Sequence, residues 1–194
     1  MTSLTLICGV DEAGRGPWAG PVTAGAVILS PDHPIHGLTD SKKLSEKKRL
    51  QLEPEIKHKA AFWAVAHVSP EEIDRLNIRE ATFLAMQQAI RALGTVPAQI
   101  LIDGNALPRD LPAPARAIIK GDLTEPAISA ASILAKTARD RLMVDICGAH
   151  PGYGFAQHKG YGTAAHAAAL ARLGPCPHHR MSFAPVRRAA GRAA

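Results

Sequence analysis

The early part of the chain alternates short apolar runs with turn-forming segments. The runs 4–10, 22–29 and 61–68 are apolar and partly β-branched, a pattern typical of strands. We therefore expect three early strands with short links, arranged as an antiparallel meander. Between the second and third strands, Ser45 is expected to cap a helix over 46–59, and Pro54 to kink or divide that helix.

The middle of the chain changes from strand-like to helical spacing. Pro70 opens a short helical turn, and apolar residues recur at helical spacing over 78–93 until Gly94 ends the helix. The short apolar runs 99–102 and 115–119 predict two further strands. We expect these strands to be parallel and joined through helical crossovers.

The last third is predicted to be helical. Pro126 opens a long helix that runs to about residue 147, and another helix covers 163–173. The whole pattern predicts an α/β protein with a mixed central β-sheet flanked by helices. A chain of 194 residues buries one substantial core. We therefore expect one domain over 1–194, in which residues from about 150 form a C-terminal helical extension.

Charge is distributed unevenly along the chain. The net charge is +6, and from Lys136 onward nine Lys and Arg residues stand against two Asp residues. This basic last third favours a polyanionic partner, although a basic tail is often only solvated. The sequence shows neither a secretory signal nor an apolar stretch long enough to span a bilayer, and its three cysteines are widely spaced. We therefore expect a cytoplasmic protein with reduced thiols and no membrane contact.

Acidic residues stand where two predicted strands end. Asp11 and Glu12 follow the first strand and precede Gly14, and Asp103 ends the run 99–102. Neighbouring strand residues point to opposite faces, so Asp11 and Glu12 share one site only if the backbone turns there. The alternatives are a solvated acidic turn for the pair, and a turn cap for Asp103.

Two further acids lie later in the chain. Asp140 is one helical turn from Lys136, so a simple intrahelical ion pair is the alternative to a role in a site. Asp122 supports the site indirectly or caps a turn, and we leave it out of the metal set. Several carboxylates converging on one sheet edge suit Mg²⁺ or Mn²⁺. Paired ions of this kind clamp a phosphodiester for hydrolysis.

The chain resembles the ribonuclease HII family in an ordered set of blocks that spans almost its whole length. The blocks are VDEAGRGP (10–17), DSKKL (40–44), IDG (102–104), KGD (120–122), the segment 130–140, HKGYGT (158–163) and HHRMSF (178–183). Each block is weak alone, but the order and spacing of the set are specific.

The resemblance implies a ribonuclease H-like fold and catalysis by two Mg²⁺ or Mn²⁺ ions. It places the four catalytic, metal-binding acids on Asp11, Glu12, Asp103 and Asp140. The implied reaction is hydrolysis of the RNA strand of an RNA/DNA hybrid, and cleavage 5′ to a ribonucleotide embedded in duplex DNA. The implied products are a 3′-hydroxyl and a 5′-phosphate. We expect the protein to be a monomer.

The same resemblance implies a set of substrate contacts. Gly14, Arg15 and Gly16 are expected to contact the junction between ribonucleotide and deoxyribonucleotide through backbone groups. Tyr161 is expected to pack against the sugar of the deoxynucleotide that follows. Lys42, beside a helix start, suits phosphate contact, although the lysines there are otherwise simply solvated.

Two rival functions remain at this point. One is another nuclease of the same broad fold, such as a junction resolvase, which would cut branched DNA and not hybrids. The other is a catalytically inert hybrid-binding module, in which loss of a metal-binding acid is expected. All four assigned acids are present, which counts against the inert module. The sequence has no Gly-Lys-Ser/Thr phosphate loop and no nucleophilic Ser or Cys motif, which disfavours P-loop and acyl-transfer enzymes.

Overall fold

A five-stranded mixed sheet forms the centre of the computed structural model, which describes residues 6–191. The strands are β1 (Ile7–Ala13), β2 (Val22–Leu29), β3 (Ala60–Val68), β4 (Gln99–Asp103) and β5 (Ala115–Ile118). Their order in the sheet is β3-β2-β1-β4-β5. β1, β2 and β3 pair antiparallel, whereas β4 is parallel to both β1 and β5. The predicted meander and the mixed α/β class are therefore confirmed.

Helices cover both faces of the sheet. They are α1 (Glu46–Lys59), α2 (Pro70–Leu76), α3 (Ile78–Ala92), α4 (Gly121–Thr124), α5 (Pro126–Ala149), α6 (Phe155–His158), α7 (Ala164–Leu173) and α8 (Ala184–Ala190). Ser45 caps α1 as predicted, by accepting a hydrogen bond from the Lys48 amide. Pro54 lies inside α1 without dividing it, because one missing amide leaves the other turns of the helix hydrogen-bonded.

Two parts of the predicted order differ from the structure. The helical crossover expected between β4 and β5 is wrong, since residues 104–114 contain no helix. Leu111 and Ala113 of this segment pack against the sheet core instead, so apolar burial holds the connection in place. The short helices α4, α6 and α8 had no clear signal in the sequence.

The sheet separates two apolar layers. α3 covers one face over Val10, Ala24 and Ile102, and α5 covers the other face with α1 packed beside it. Gly25, which pairs with Asp11 in the sheet, faces the backbone of Ala131 in α5. A β-carbon on Gly25 would collide with that backbone, so this glycine permits the close approach that brings α5 to the acidic residue.

Some expectations lie partly outside the described residues. The start of the first predicted strand, residues 4 and 5, and Arg192 of the basic tail are among them. Within residues 6–191, no helix has the length and apolarity needed to cross a membrane. The three cysteines, Cys8, Cys147 and Cys176, are free thiols, as predicted.

Candidate active site

Asp11 and Asp103 lie side by side on the α5 face of the sheet. Asp11 is in β1 and Asp103 ends the parallel neighbour β4, where Val10 pairs with Ile102. Val10 and Ile102 are buried on the α3 side, so alternation along each strand turns both aspartates to the opposite face. Asp11 is only 5% exposed. Two carboxylates are thus fixed at the carboxyl ends of adjacent parallel strands.

Asp122 completes a group of three carboxylates. One oxygen from each of Asp11, Asp103 and Asp122 lies within 4.8 Å of the others. Asp122 stands in the short helix α4, and its amide donates a long hydrogen bond of 3.4 Å to Asp103 Oδ1. The Ser129 hydroxyl donates to the Asp122 carbonyl at 2.7 Å and fixes this turn to the start of α5. The acid that sequence reasoning left out is therefore part of the cluster.

Glu12 lies beside the group and on the other face of β1. The strand continues to Ala13 without the turn that a shared site was expected to need. Instead, Glu12 lines a cavity that is also bordered by Asp103 and by the α3 residues Thr82 and Phe83. Asp103, at the end of β4, borders both this cavity and the group formed with Asp11 and Asp122.

Asp140 is not brought into the carboxylate group. It is buried on α5, where Lys136 Nζ donates to its Oδ1 at 2.6 Å and Arg49 Nη2 lies 3.8 Å from its Oδ2. Ser132, the α5 residue that contacts Asp11, is eight positions earlier, which corresponds to about 12 Å along a helix. The predicted assignment of Asp140 as a metal ligand therefore lacks geometric support.

The carboxylates of the acidic site repel one another. Burial and the charges of Glu12 and Asp103 hold the pKa of the Asp11 carboxyl well above its usual range. Burial and Asp103 also raise the pKa of Glu12 and that of Asp122. Burial by itself would lower the pKa of Lys42, but the surrounding carboxylates, Asp11 first, raise it above normal. The site is a carboxylate cluster with one nearby ammonium, so further cations would stabilise its ionised form.

A second open cavity beside Glu12 is lined by every residue that was predicted to contact substrate. Its wall includes Gly14, Arg15, Gly16, Lys42 and Tyr161. The volume is about 550 Å³. Tyr161 is 42% exposed, and its ring lies 3.8 Å from where a β-carbon on Gly16 would stand. The predicted set thus forms one continuous surface next to the acids.

Arg180 holds the Gly14–Gly16 loop from behind. Its guanidinium is fully buried and donates to the carbonyls of Gly14 at 2.5 Å and of Arg15 at 2.9 Å. The described peptides are all trans, so in each unit the N–H points opposite to the C=O. Holding these two carbonyls inward therefore directs the amides of Arg15 and Gly16 outward, toward the cavity that they line.

A second buried arginine ties this loop region to α5 and the Tyr161 segment. Arg139 donates to the carbonyls of Ala19, Pro21 and Lys159 at 2.9–3.1 Å. Gly14 has a φ of +93°, and a β-carbon there would overlap the Arg139 side chain. Neither Arg139 nor Arg180 was given a role from the sequence, although Arg180 lies in the closing HHRMSF block.

A histidine network supports the backbone of Tyr161. His166 Nδ1 lies 3.0 Å from the Tyr161 carbonyl, and its Nε2 lies 3.1 Å from His179 Nε2. The Cys176 amide donates to His179 Nδ1 at 2.9 Å. These partners require neutral rings, in which His179 donates to His166 and His166 donates to Tyr161. Burial lowers the pKa of His166 and lowers that of His179 to about 4, with neighbouring histidines adding to both shifts.

Acidification is therefore expected to destabilise the fold through His179. Its pKa is about 4 in the folded protein and about 6.5 when unfolded, so the unfolded chain binds more protons between these values. The stabilisation is complete above about pH 6.5 and is lost as the pH falls toward 4, by about 3 kcal/mol. Urea unfolding at pH 7.5 and pH 4.5 measures this difference.

The matched variants are His179→Asn and His36→Asn. Asparagine at 179 keeps an acceptor for the Cys176 amide but does not titrate, so it should lose less stability on acidification than the wild type does. His36 is exposed, and its variant should behave like the wild type. Equal pH dependence of wild type and His179→Asn would contradict this assignment.

Comparisons with known proteins agree with the geometry. The family model described as Ribonuclease HII matches residues 8–186. Ribonuclease HII of Hyphomonas neptunium is 67% identical, with 96% of this chain and 97% of that protein covered. Ribonuclease HII of Halorhodospira halophila is 59% identical, with 95% of each chain covered. The crystal structure of ribonuclease H2 from Pyrococcus horikoshii has a TM-score of 0.80 at 25% identity, with 96% of this chain and 97% of that chain covered.

The sheet topology is that of a ribonuclease H-like fold, and the family match makes the chain a metal-dependent endonuclease, a class that the carboxylates at the ends of its central strands fit. The chain belongs to the ribonuclease HII family. It is an endoribonuclease that acts on nucleic acid, as the sequence resemblance implied.

Proposed function

We propose that this enzyme hydrolyses the RNA strand of RNA/DNA hybrids and cuts on the 5′ side of a ribonucleotide embedded in duplex DNA, leaving 3′-hydroxyl and 5′-phosphate ends. The observation that carries the proposal is the group of Asp11, Asp103 and Asp122, whose carboxylate oxygens lie within 4.8 Å of one another, next to the cavity lined by the Gly14–Gly16 loop. Acids for hydrolysis and a surface for recognising ribose are thus adjacent.

The proposed metal set is Asp11, Glu12, Asp103 and Asp122. Asp122 replaces Asp140, because Asp122 shares the carboxylate group whereas Asp140 is neutralised by Lys136 and Arg49. An all-oxygen donor set with raised carboxyl pKa values fits hard divalent cations, Mg²⁺ or Mn²⁺, and we propose two of them. Such ions supply an activated water and stabilise the leaving oxygen.

The protein's own groups account for positioning the substrate. The outward amides of Arg15 and Gly16 offer donors to a ribose 2′-hydroxyl, which distinguishes RNA from DNA at that position. The half-exposed ring of Tyr161 offers an apolar face to the next deoxyribose. Lys42, kept protonated by the acids around it, suits a phosphate oxygen beside the scissile bond.

We also propose that the protein acts as a single domain, as a monomer and in the cytoplasm. The C-terminal helical region is joined to the sheet through Arg180, through the Ala19–His179 bridge and through the Trp18 amide, which donates to the Gly160 carbonyl. These contacts support one unit across residues 6–191. The free thiols suit a reducing compartment.

End-labelled duplexes test the proposed function. With Mg²⁺ or Mn²⁺, we expect one cut 5′ to a single ribonucleotide in DNA, cuts throughout the RNA strand of a hybrid, and no cut in an all-DNA duplex or with chelator. Cleavage of branched DNA without activity on hybrids would favour a junction resolvase. Binding of hybrids without cleavage under either metal would favour an inert binding module.

A further inference from the structure

Asp140 is a buried acid without a place in the proposed metal set. It is 8% exposed and lies between two cations, with Lys136 Nζ at 2.6 Å and Arg49 Nη2 at 3.8 Å. Lys136 and Arg49 both line the cavity that holds Gly14–Gly16 and Tyr161. One carboxylate therefore orients two positive groups at the wall of the substrate surface.

Arg49 extends this arrangement to the loop that carries Lys42. Its Nη1 donates to the Ser41 carbonyl at 2.9 Å and to the Leu44 carbonyl at 2.6 Å. The hydroxyls of Ser41 and Ser132 are 2.8 Å apart and buried. The loop is thus fastened to α5 at two points, one of which depends on Asp140 through Arg49.

Lys136 is held in a position that suits an anion. An ammonium group has three N–H donors, and one of them is used by Asp140. Burial lowers the pKa of Lys136, and the Asp140 carboxylate counters that effect. With a side chain 19% exposed at the cavity wall, the remaining donors are available to a ligand there. Together the three residues carry one net positive charge.

We propose that Lys136, Arg49 and Asp140 form a subsite for a backbone phosphate of the nucleic acid, in which Asp140 is a positioning residue and not a metal ligand. The proposal rests on the proposed function, because it assumes a nucleic acid strand in this cavity. Lys136 supplies the contact to phosphate, and Asp140 fixes Lys136 directly and the Lys42 loop through Arg49. Phosphate contacts of this kind position a strand without reading its sequence.

Four variants test the subsite: Asp140→Asn, Lys136→Met, the double variant and Asp145→Asn. Asp145 is exposed on the same helix, so its change removes the same charge outside the cavity. Asp140→Asn and Lys136→Met are each expected to lower kcat/KM on a ribonucleotide-containing duplex roughly tenfold, mainly through KM. Because Asp140 acts partly through Lys136, the double variant should lose clearly less than the sum of the two single effects. Asp145→Asn should match the wild type.

Two measurements distinguish the proposed role of Asp140 and Lys136 in positioning the strand from a role in binding metal and from a role in cleavage. Mn²⁺ titrations without nucleic acid should give the same affinity for Asp140→Asn as for wild type. Duplex binding in chelator should weaken in Lys136→Met, and its logarithmic salt dependence should become shallower by about 0.9, one phosphate contact. If Asp140→Asn fails to fold, Asp140→Glu, which keeps both ion pairs, should retain binding within about threefold.

Strictly additive effects in the double variant would overturn the proposal, as would weaker Mn²⁺ binding by Asp140→Asn. An unchanged salt dependence in Lys136→Met would also overturn it. Failure of the wild type to cut any ribonucleotide-containing duplex would contradict the proposed function alone, because binding in chelator reports on the subsite independently of cleavage.

Discussion

Replacing Asp103 by asparagine is expected to reduce cleavage of a ribonucleotide-containing duplex by more than about 100-fold. Loss of a residue that only hydrogen-bonds to a metal ligand costs up to about 100-fold, and loss of a direct ligand should cost more. The reason is its central position. Asp103 contributes to the raised pKa of Asp11, of Glu12 and of Asp122, so it is the acid that connects the two sides of β1. Single-turnover cleavage with Mg²⁺ or Mn²⁺ measures the loss.

The same change is expected to stabilise the metal-free protein. Carboxyl groups whose pKa is raised on folding weaken the fold at pH values where they ionise, and the Asp103→Asn change would remove one source of that repulsion. A gain of about 1 kcal/mol corresponds to roughly 2–4 °C in Tm. Added Mn²⁺ should raise the Tm of the wild type more than that of the variant.

Asp110→Asn is the matched control for Asp103→Asn. Asp110 is exposed in the connection after β4, and asparagine tolerates its positive φ of 51°. Its activity and its response to Mn²⁺ should equal those of the wild type. If Asp103→Asn kept its activity, or gained as much stability from Mn²⁺ as the wild type does, Asp103 would not be a metal ligand.

The spacing of apolar residues along the sequence predicted the strands and helices whose own side chains are buried. β2 and β3 alternate or run apolar over their whole length, and α5 begins at its proline, so their bounds followed from local sequence. The connection between β4 and β5 did not, because Leu111 and Ala113 hold it by long-range packing that leaves no periodic signal. A four-residue helix such as α4 is likewise too short to show a period.

The candidate site was predictable at the strand ends and not beyond them. Asp11 and Asp103 each follow an apolar run of the sequence, and parallel pairing of β1 with β4 brings them together. Choosing between Asp122 and Asp140 required knowing how α5 crosses the sheet, which depends on the close contact at Gly25. Helical spacing did predict the Lys136–Asp140 pair, which is the contact that the structure contains.

Replacing Arg180 by lysine is expected to lower the free energy of unfolding by about 3 kcal/mol and to impair cleavage at the ribonucleotide. Four carbonyls, of Gly14, Arg15, Gly20 and Pro21, accept hydrogen bonds from its guanidinium. A compact ammonium has too few donors, and a different geometry, to serve them all, and each buried acceptor left unpaired costs about 1–3 kcal/mol. Thermal unfolding should show a Tm lower by roughly 6–12 °C.

The effect on activity follows from the peptide geometry of the Gly14–Gly16 loop. Without Arg180 the Gly14 and Arg15 carbonyls lose their inward partner, so the amides of Arg15 and Gly16 are no longer fixed toward the cavity. At a temperature where the variant is folded, kcat/KM for a ribonucleotide should fall while affinity for an all-DNA duplex persists, because Arg180 is fully buried and the exposed cations of the protein are unchanged. Arg172→Lys, at an exposed position with one long hydrogen bond to Gly152, should leave both unchanged. If affinity for the all-DNA duplex fell by the same factor as kcat/KM for the ribonucleotide-containing duplex, Arg180 would support the fold without orienting the loop.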